Sequence, residues 1–148
     1  MNAITLLTDE HDEMKKLMAD LDETTERGVK IRNELFDKLK ARLEIHEAIE
    51  EEIFYPALKK HPKAKDIVLE GIEEHHVVDG IVAELETLSV QDETWGAKLT
   101  VMKENVEHHM EEEESDMFPK ARDVFDGDEL TELGDRMQVR KMQLQEAG

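Results

Sequence analysis

The 148-residue chain contains no cysteine, and it has few aromatic residues, three prolines and seven glycines. Without cysteine it can form neither a disulfide nor a thiolate metal site, so any bound metal must be held by nitrogen and oxygen donors. Donors of that kind suit iron or manganese. Charged residues make up 39% of the chain and hydrophobic residues another 39%, a mixture that favours helices over strands. We expect a single all-α domain.

Positive charge is also scarce, since the chain has 19 basic and 38 acidic residues and a formal net charge of -19. Such a charge repels nucleic acids and anionic membranes and attracts cations. No segment approaches the ~20 consecutive apolar residues of a membrane helix, and the first residues lack the basic start of a signal peptide. We therefore expect a cytoplasmic protein that binds neither nucleic acid nor membranes.

Apolar residues recur at helical spacing in four long stretches, each separated from the next by a helix-breaking feature. The first stretch is expected to end near Gly28, the second at Pro62 and the third at the polar stretch 89–94, and the fourth runs toward Pro119. Short connections between long amphipathic helices make neighbours antiparallel, which predicts an up-down-up-down four-helix bundle over residues 1–120. Asp92 or Thr94 can cap the fourth helix.

Residues 121–148 form a further amphipathic stretch. Asp126, Gly127 and Asp128 predict a turn and a helix cap, and leucine and methionine then recur at helical spacing. The favoured interpretation is an additional C-terminal helix packed on the bundle. The alternative is a helix that binds a second copy of the chain or a different protein partner. The sequence does not say which partner that is.

Four histidines lie within the apolar stripes of the predicted helices. His11, for example, follows Leu7 by four residues and precedes Met14 by three, so it points inward with them. The same spacing places three others on the inward faces of the second, third and fourth helices: His46, His75 and His109.

Two glutamates share these stripes, Glu50 one turn after His46 and Glu113 one turn after His109. An isolated carboxylate in a protein core costs several kcal/mol, so it is expected to be protonated, paired or bound to a metal. No lysine or arginine lies in the inward register beside them. We therefore interpret the four histidines and two glutamates as ligands of a buried cation.

The pattern occurs twice along the chain. His46 follows His11 by 35 residues and His109 follows His75 by 34, and each second histidine has glutamate at +4 and proline at +10. A single His-x-x-x-Glu arises easily by chance in so acidic a chain and is often a surface pair. Its duplication indicates two related helical hairpins that contribute equally to one site.

The remaining histidines lie outside the stripes. His76 and His108 have polar neighbours, and they are predicted to be solvated or to support a ligand from behind. His61, which precedes Pro62, is predicted at a surface helix end. A ferritin-like site needs paired Glu-x-x-His motifs, and only Glu73 with His76 has that spacing at a plausible position, off the stripe.

The chain contains twice a pattern of one inward histidine on one helix and His-x-x-x-Glu on the next. In this it resembles the hemerythrin-like family, also called the HHE cation-binding family. The resemblance covers about residues 3–119 and implies a non-haem di-iron centre. If Glu50 and Glu113 bridge the irons, two of six coordination positions on each iron remain for an oxo or hydroxo bridge and an exchangeable ligand. The implied ligands are His11, His46, Glu50, His75, His109 and Glu113.

The sequence departs from oxygen-carrying hemerythrins in the predicted third helix, where those proteins have two histidines four residues apart. Here His75 is followed at +4 by Asp79. A site with less nitrogen is less suited to reversible oxygen carriage and leaves room for redox chemistry. Tyr55, beside Pro56, can become an additional ligand if the helix distorts there. On an ideal helix it points away from the His46 stripe.

Two functions are compatible with these ligands. One is a catalase-like enzyme acting against oxidative stress: one hydrogen peroxide oxidises the iron pair and yields water, and a second reduces the pair and yields dioxygen. Four neighbouring acids can then move protons: Glu47, Glu51, Glu112 and Glu114. The other function is a module that binds or senses dioxygen, nitric oxide or iron without turnover. The ligands are the same in both cases.

Overall fold

The structure, a computed structural model, describes all 148 residues and contains helices but no strand. Five helical rods follow one another along the chain. The first, third and fifth are α1 (Ala3–Asp22), α4 (Lys65–Glu86) and α7 (Gly127–Ala147). The second joins α2 (Val29–Ile49) to α3 (Tyr55–Lys59) through a π turn over Glu50–Phe54, and the fourth joins α5 (Glu93–Glu112) to α6 (Phe118–Val124) through a π turn over Glu113–Met117. The predicted all-α bundle with an additional C-terminal helix is confirmed.

The helix ends are set by local hydrogen bonds. The prediction that the first helix extends to near Gly28 is wrong, because α1 ends at Asp22 and Gly28 instead precedes α2. The Thr24 hydroxyl donates to the Leu21 carbonyl and helps to terminate α1. Asp92 caps α5, as its sequence position predicts, by accepting from the Thr94 N–H.

Both π turns precede a proline. The Glu50 carbonyl accepts from the Tyr55 N–H, and the Glu113 carbonyl accepts from the Phe118 N–H, in each case across five residues. Proline has no N–H, and in an α-helix its ring crowds the carbonyl four residues earlier. A wider turn relieves that crowding, so both rods continue past their proline. The extra residue in the turn also shifts the side chains that follow by about one position around the helix.

The apolar core is divided into two clusters, and the buried polar side chains lie between them along each helix. On α1, Leu7 belongs to one cluster and Met14 to the other, with His11 between them. On α2, Leu43 and Ile49 flank the site in the same way. The helices therefore carry a polar layer across the middle of the bundle, closed at both ends by apolar side chains.

The C-terminal helix α7 packs against α1 and α2. It buries Leu130, Leu133 and Met137 in the same cluster as the start of α1. Asp126 begins this helix with a capping box, in which its side chain accepts from the Glu129 N–H and the Glu129 side chain accepts from the Asp126 N–H. None of the helices combines the length and apolar composition that crossing a membrane requires.

Gly134 of α7 lies against the first residues of the chain, where a Cβ atom would collide with the Met1 carbonyl oxygen and lie 2.7 Å from the Ala3 nitrogen. We expect Gly134→Ala to lower the free energy of unfolding by about 1–3 kcal/mol, because backbone atoms must move. Gly80→Ala in α4 is the control, since a Cβ atom added there would meet no other atom within 4 Å. That variant should gain about 0.5–1 kcal/mol in urea denaturation. Equal stability of the two variants would contradict the docking of α7 on the start of α1.

Candidate metal centre

The six side chains predicted as ligands lie together in the polar layer, and none is more than 6% exposed. They form two groups of three, and within each group the ligand atoms lie within 4.8 Å of one another. Each group contains two imidazoles and one carboxylate, a donor set that fits iron or manganese. One group is His11, His46 and Glu113, and the other is Glu50, His75 and His109.

Glu50 connects the two helical hairpins. Its Oε1 atom lies 3.1 Å from Nε2 of His75, which belongs to the other hairpin, and 3.2 Å from Nε2 of His46, one turn earlier on its own helix. Glu50 therefore lies between imidazoles of the two groups.

Glu113 has the corresponding position in the second hairpin. Its Oε1 atom lies 3.0 Å from Nε2 of His11, and its Oε2 atom lies 3.4 Å from Nε2 of His109. The geometry therefore repeats the duplication that is visible in the sequence.

Two buried atoms among these donors have no hydrogen-bond partner, Nε2 of His46 and Oε2 of Glu50. Leaving a buried polar atom unpaired costs about 1–3 kcal/mol, so such atoms need an explanation. A cation held among the six side chains would satisfy both. The residues therefore fit a bound metal on structural grounds as well as by their chemistry.

The electrostatics of the metal-free site lead to the same conclusion. Burial and the Glu113 charge raise the pKa of Glu50, but the imidazoles of His46 and His109 outweigh them and hold it at about 2. Burial lowers the pKa of His109, whereas the charge of Glu113 and the hydrogen bond with Glu74 raise it to about 12. Two ionised carboxylates thus demand positive charge nearby, which protons on the imidazoles supply unless a metal does.

Each of the four imidazoles is also held from outside by a carboxylate on its Nδ1 atom. Such a partner fixes the tautomer that leaves Nε2 free for a metal, and it raises the basicity of the ring. The pairs are His11 with Glu114 at 3.0 Å, His46 with Glu10 at 2.7 Å, His75 with Glu51 at 3.0 Å and His109 with Glu74 at 2.8 Å.

The outer acids follow the internal repeat. Glu51 and Glu114 directly follow the two central glutamates, and Glu10 and Glu74 directly precede the first histidine of each hairpin. The roles of Glu10 and Glu74 are not among the sequence predictions, although a glutamate before the first histidine in both halves is a usable signal. Glu51 and Glu114 are predicted only as proton carriers, whereas the structure shows them holding imidazole rings.

Glu47 and Asp79 lie away from the ring of donors. They line a cleft of about 370 Å³ between α2 and α4. Burial and the neighbouring carboxylate of Asp79 raise the pKa of Glu47 to about 10. Asp79, one turn after His75, is exposed and therefore does not replace the second histidine of the oxygen-carrying hemerythrins.

Tyr55 reaches the centre. Its side chain is 1% exposed, and its hydroxyl donates to Oε2 of Glu113 at 2.6 Å and lies 3.3 Å from Nε2 of His109. The expectation from an ideal helix, that Tyr55 points away, is wrong because the π turn before it shifts the register. Gly71 provides the space, since a Cβ atom there would lie 3.0 Å from the hydroxyl.

The two hairpins differ at this position by one hydroxyl group. Phe118 follows the second π turn as Tyr55 follows the first. The Phe118 ring stacks on His11 with centroids 5.8 Å apart, and the Tyr55 ring stacks on His75 at 5.4 Å. Only the first of these two aromatic side chains can donate a proton or bind a metal.

The remaining histidines lie outside the centre. The side chains of His76 and His108 are 60% and 64% exposed. Glu73 contacts His76 at the surface, so this pair contributes nothing to a buried site. His61 is half-buried rather than a surface residue, because its ring packs edge-on against Phe125 at 5.2 Å.

The family model of the Hemerythrin HHE cation binding domain matches residues 2–121. The chain belongs to this family. The matched range contains all six converging donors, and α7 lies beyond it. The hemerythrin-like chain is therefore a helical metal-binding domain.

Similar proteins occur in mycobacteria. Uncharacterized proteins of Mycobacterium tuberculosis and Mycobacterium bovis are each 35% identical over 148 residues, covering 97% of this chain and 88% of theirs. The crystal structure of a hemerythrin HHE cation binding domain-containing protein from Mycobacterium kansasii superposes with a TM-score of 0.89 at 30% identity, covering 99% of this chain and 89% of that chain. The likeness to that structure thus includes the C-terminal helix.

Proposed function

We propose that this hemerythrin-like protein binds two iron ions in the polar layer and disposes of hydrogen peroxide. The observation that carries the proposal is the duplicated set of six buried donors, in which every imidazole is fixed through Nδ1 by a carboxylate. An arrangement this complete resembles a prepared coordination sphere rather than a polar core. The proposed ligands are His11, His46, Glu50, His75, His109 and Glu113.

The iron pair would supply the electron exchange by which two molecules of hydrogen peroxide become two of water and one of dioxygen. Glu50 and Glu113 would hold both ions as bridges, and the outer carboxylates keep the Nε2 atoms turned toward them. The two apolar clusters exclude bulk water from either end of the layer. The chain thereby confines the reaction to a buried, negatively charged site.

Tyr55 supports turnover over reversible oxygen binding. Its hydroxyl oxygen lies close enough to His109 and Glu113 to serve as an additional ligand, or to hold a proton at Oε2 of Glu113. Where oxygen carriers have a further histidine, this site has only exposed Asp79 and a buried phenol. Oxygen donors favour the oxidised metal over the reduced form that binds dioxygen reversibly.

The iron-loaded protein is expected to release dioxygen from hydrogen peroxide over many turnovers. An oxygen electrode should record about half an equivalent of dioxygen for each peroxide consumed, as the reaction requires. The metal-free protein and free iron at equal concentration are the controls. A single sub-stoichiometric release, followed by a stable adduct with dioxygen or nitric oxide, would favour the binding or sensing function instead.

A further inference from the structure

A second group of potential ligands lies at the surface beside the buried centre. Glu74 on α4 and His108 and Glu112 on α5 have ligand atoms that all lie within 4.8 Å of one another. Nε2 of His108 is 3.1 Å from Oε1 of Glu112 and 3.9 Å from Oε2 of Glu74. The three side chains are partly open to solvent, His108 most of all at 64%. One imidazole and two carboxylates form a donor set for a divalent transition metal.

The arrangement places two carboxylates near each other without a permanent positive charge. Neither Glu74 nor Glu112 forms an ion pair with lysine or arginine, and their only basic partners are histidines. The carboxylate oxygens lie within 4.8 Å of each other, so two negative charges there repel. The chain as a whole is also strongly negative. A bound cation would remove that repulsion.

The internal repeat has apolar residues at two of these three positions in its other half. Glu74 corresponds to Glu10 in the first hairpin, because each directly precedes the first histidine of its half. The positions of His108 and Glu112 correspond to Ile45 and Ile49, which directly precede His46 and Glu50. These two positions therefore have apolar residues in the first half of the repeat and potential metal ligands in the second.

The C-terminal helix accounts for the apolar half. Lys141 of α7 lies 2.9 Å from Oε2 of Glu10, whose side chain is only 8% exposed. Ile49 is fully buried in the same region. Because α7 packs on the rods that contain α1 and α2, the Glu10 side is closed and neutralised, whereas the Glu74 side stays open.

Glu74 joins the surface group to the buried centre. Its Oε1 atom contacts Nδ1 of His109 at 2.8 Å, and its Oε2 atom faces His108. One carboxylate therefore separates the outer group from an imidazole of the centre. No other outer carboxylate of the site belongs to a surface group of three donors.

We propose that Glu74, His108 and Glu112 form an outer binding site for a divalent first-row metal ion, through which ions reach the buried centre. The transfer role rests on the proposed function, since it requires a buried centre that takes up iron. The outer site concentrates cations at the open side of the bundle, and Glu74 then leads them toward His109. It is a site for transit, because three ligands near solvent hold an ion less firmly than the buried donors of the centre.

The outer site can be tested on the iron-loaded protein by titration with Mn²⁺, following the electron paramagnetic resonance signal of the free ion. We expect one additional Mn²⁺ per chain, lost when His108→Gln and Glu112→Gln are combined. The matched control combines His76→Gln with Glu73→Gln, which removes another exposed histidine–glutamate pair and the same charge. Equal Mn²⁺ binding by the two double variants would overturn the site.

The transfer role is tested by mixing metal-free protein with Fe²⁺ under anaerobic conditions and removing unbound iron with a chelator at successive times. The His108→Gln, Glu112→Gln variant should load about tenfold more slowly than wild type, as expected when a charged site no longer concentrates the ion. Its final iron content should equal that of wild type and of the control. Equal loading rates would overturn the transfer role. A wild-type chain that takes up no buried iron, but whose bound Mn²⁺ is lost in the His108→Gln, Glu112→Gln variant and kept in the control, would support the outer site and refute the proposed function.

Discussion

His75→Ala and His109→Ala are each expected to abolish stable iron binding, whereas His76→Ala and His108→Ala should retain the iron of the wild-type protein at equilibrium. The first pair removes an Nε2 donor that lies 3.1 Å from Glu50 or 3.4 Å from Glu113. The second pair removes exposed rings that are not among the six converging donors. Removing a ligand should cost more than the roughly 10–100-fold loss of affinity that follows removal of an outer hydrogen-bond partner.

Elemental analysis after expression in iron-rich medium provides the measurement, with close to two irons per chain expected for wild type. All four variants remove one histidine, so the comparison controls for charge and for general effects of truncation. Loss of iron from the His76 and His108 variants, with retention in the other two, would contradict the register. One zinc ion per chain, or no metal at all, would contradict the di-iron assignment.

Removing the iron is expected to destabilise the folded protein strongly. A ligand present at 1,000 times its dissociation constant adds about 4 kcal/mol to the stability of the state that binds it. For a chain of this size that corresponds to a fall in Tm of roughly 10 °C on metal removal. Calorimetry of the loaded and metal-free protein at equal concentration gives the difference. An unchanged Tm would show that folding does not depend on the metal.

Glu50 and Glu113 are expected to stabilise the metal-free state through their contacts with the imidazoles, because both are buried and yet the pKa of each is held below its ordinary value. Glu50→Gln combined with Glu113→Gln should bind no iron, and its metal-free form should be less stable than metal-free wild type near neutral pH. Removing one partner of a buried ion pair leaves the other unpaired, which costs about 3–5 kcal/mol. A double variant at least as stable as metal-free wild type would count against this explanation.

The pH dependence of the metal-free protein follows from the same contacts. The pKa of His109 is raised from 6.5 to about 12, so its contribution to stability is complete below pH 6.5 and is lost as the pH rises toward 12. The pKa of Glu50 is lowered from 4.5 to about 2, so its contribution is complete above pH 4.5 and is lost as the pH falls toward 2. These two groups together stabilise metal-free wild type most between about pH 4.5 and 6.5. Glu47, whose pKa is raised from 4.5 to about 10, contributes most below pH 4.5 and moves the maximum toward the lower end of that range. The double glutamine variant, without these carboxylates, should show a flatter profile.

Much of the fold was accessible from hydrophobic spacing and from a few helix-breaking residues. The stripes placed His11 with Leu7 and Met14, and the structure has all three buried on one face of α1. Asp92 was identifiable as a cap because its side chain can accept from the next backbone N–H groups. The end of α1 differs from its prediction because Gly28 is only the nearest flexible residue, whereas the hydrogen bond from the Thr24 hydroxyl to the Leu21 carbonyl helps to terminate the helix earlier.

The sequence by itself determined which residues face inward. The 3.6-residue period assigns each side chain to one face of its own helix, and the duplicated spacing showed that six donors share the inward faces. Periodicity does not say which residue on another helix a side chain meets, so the pairing of the imidazoles with Glu10 and Glu74 appeared only when the helices were packed.

The tertiary structure also decided two features that helical periodicity does not predict, the position of Tyr55 and the exposure of Glu74. A π turn shifts Tyr55 into the centre, and its hydroxyl fits there only because Gly71, on another helix, has no side chain. The docking of α7 closes the Glu10 side of the layer and leaves Glu74 partly open to solvent, although the two residues hold equivalent places in the repeat. Each glutamate directly precedes the first histidine of its hairpin, and the difference in their exposure arises from which helix packs over them.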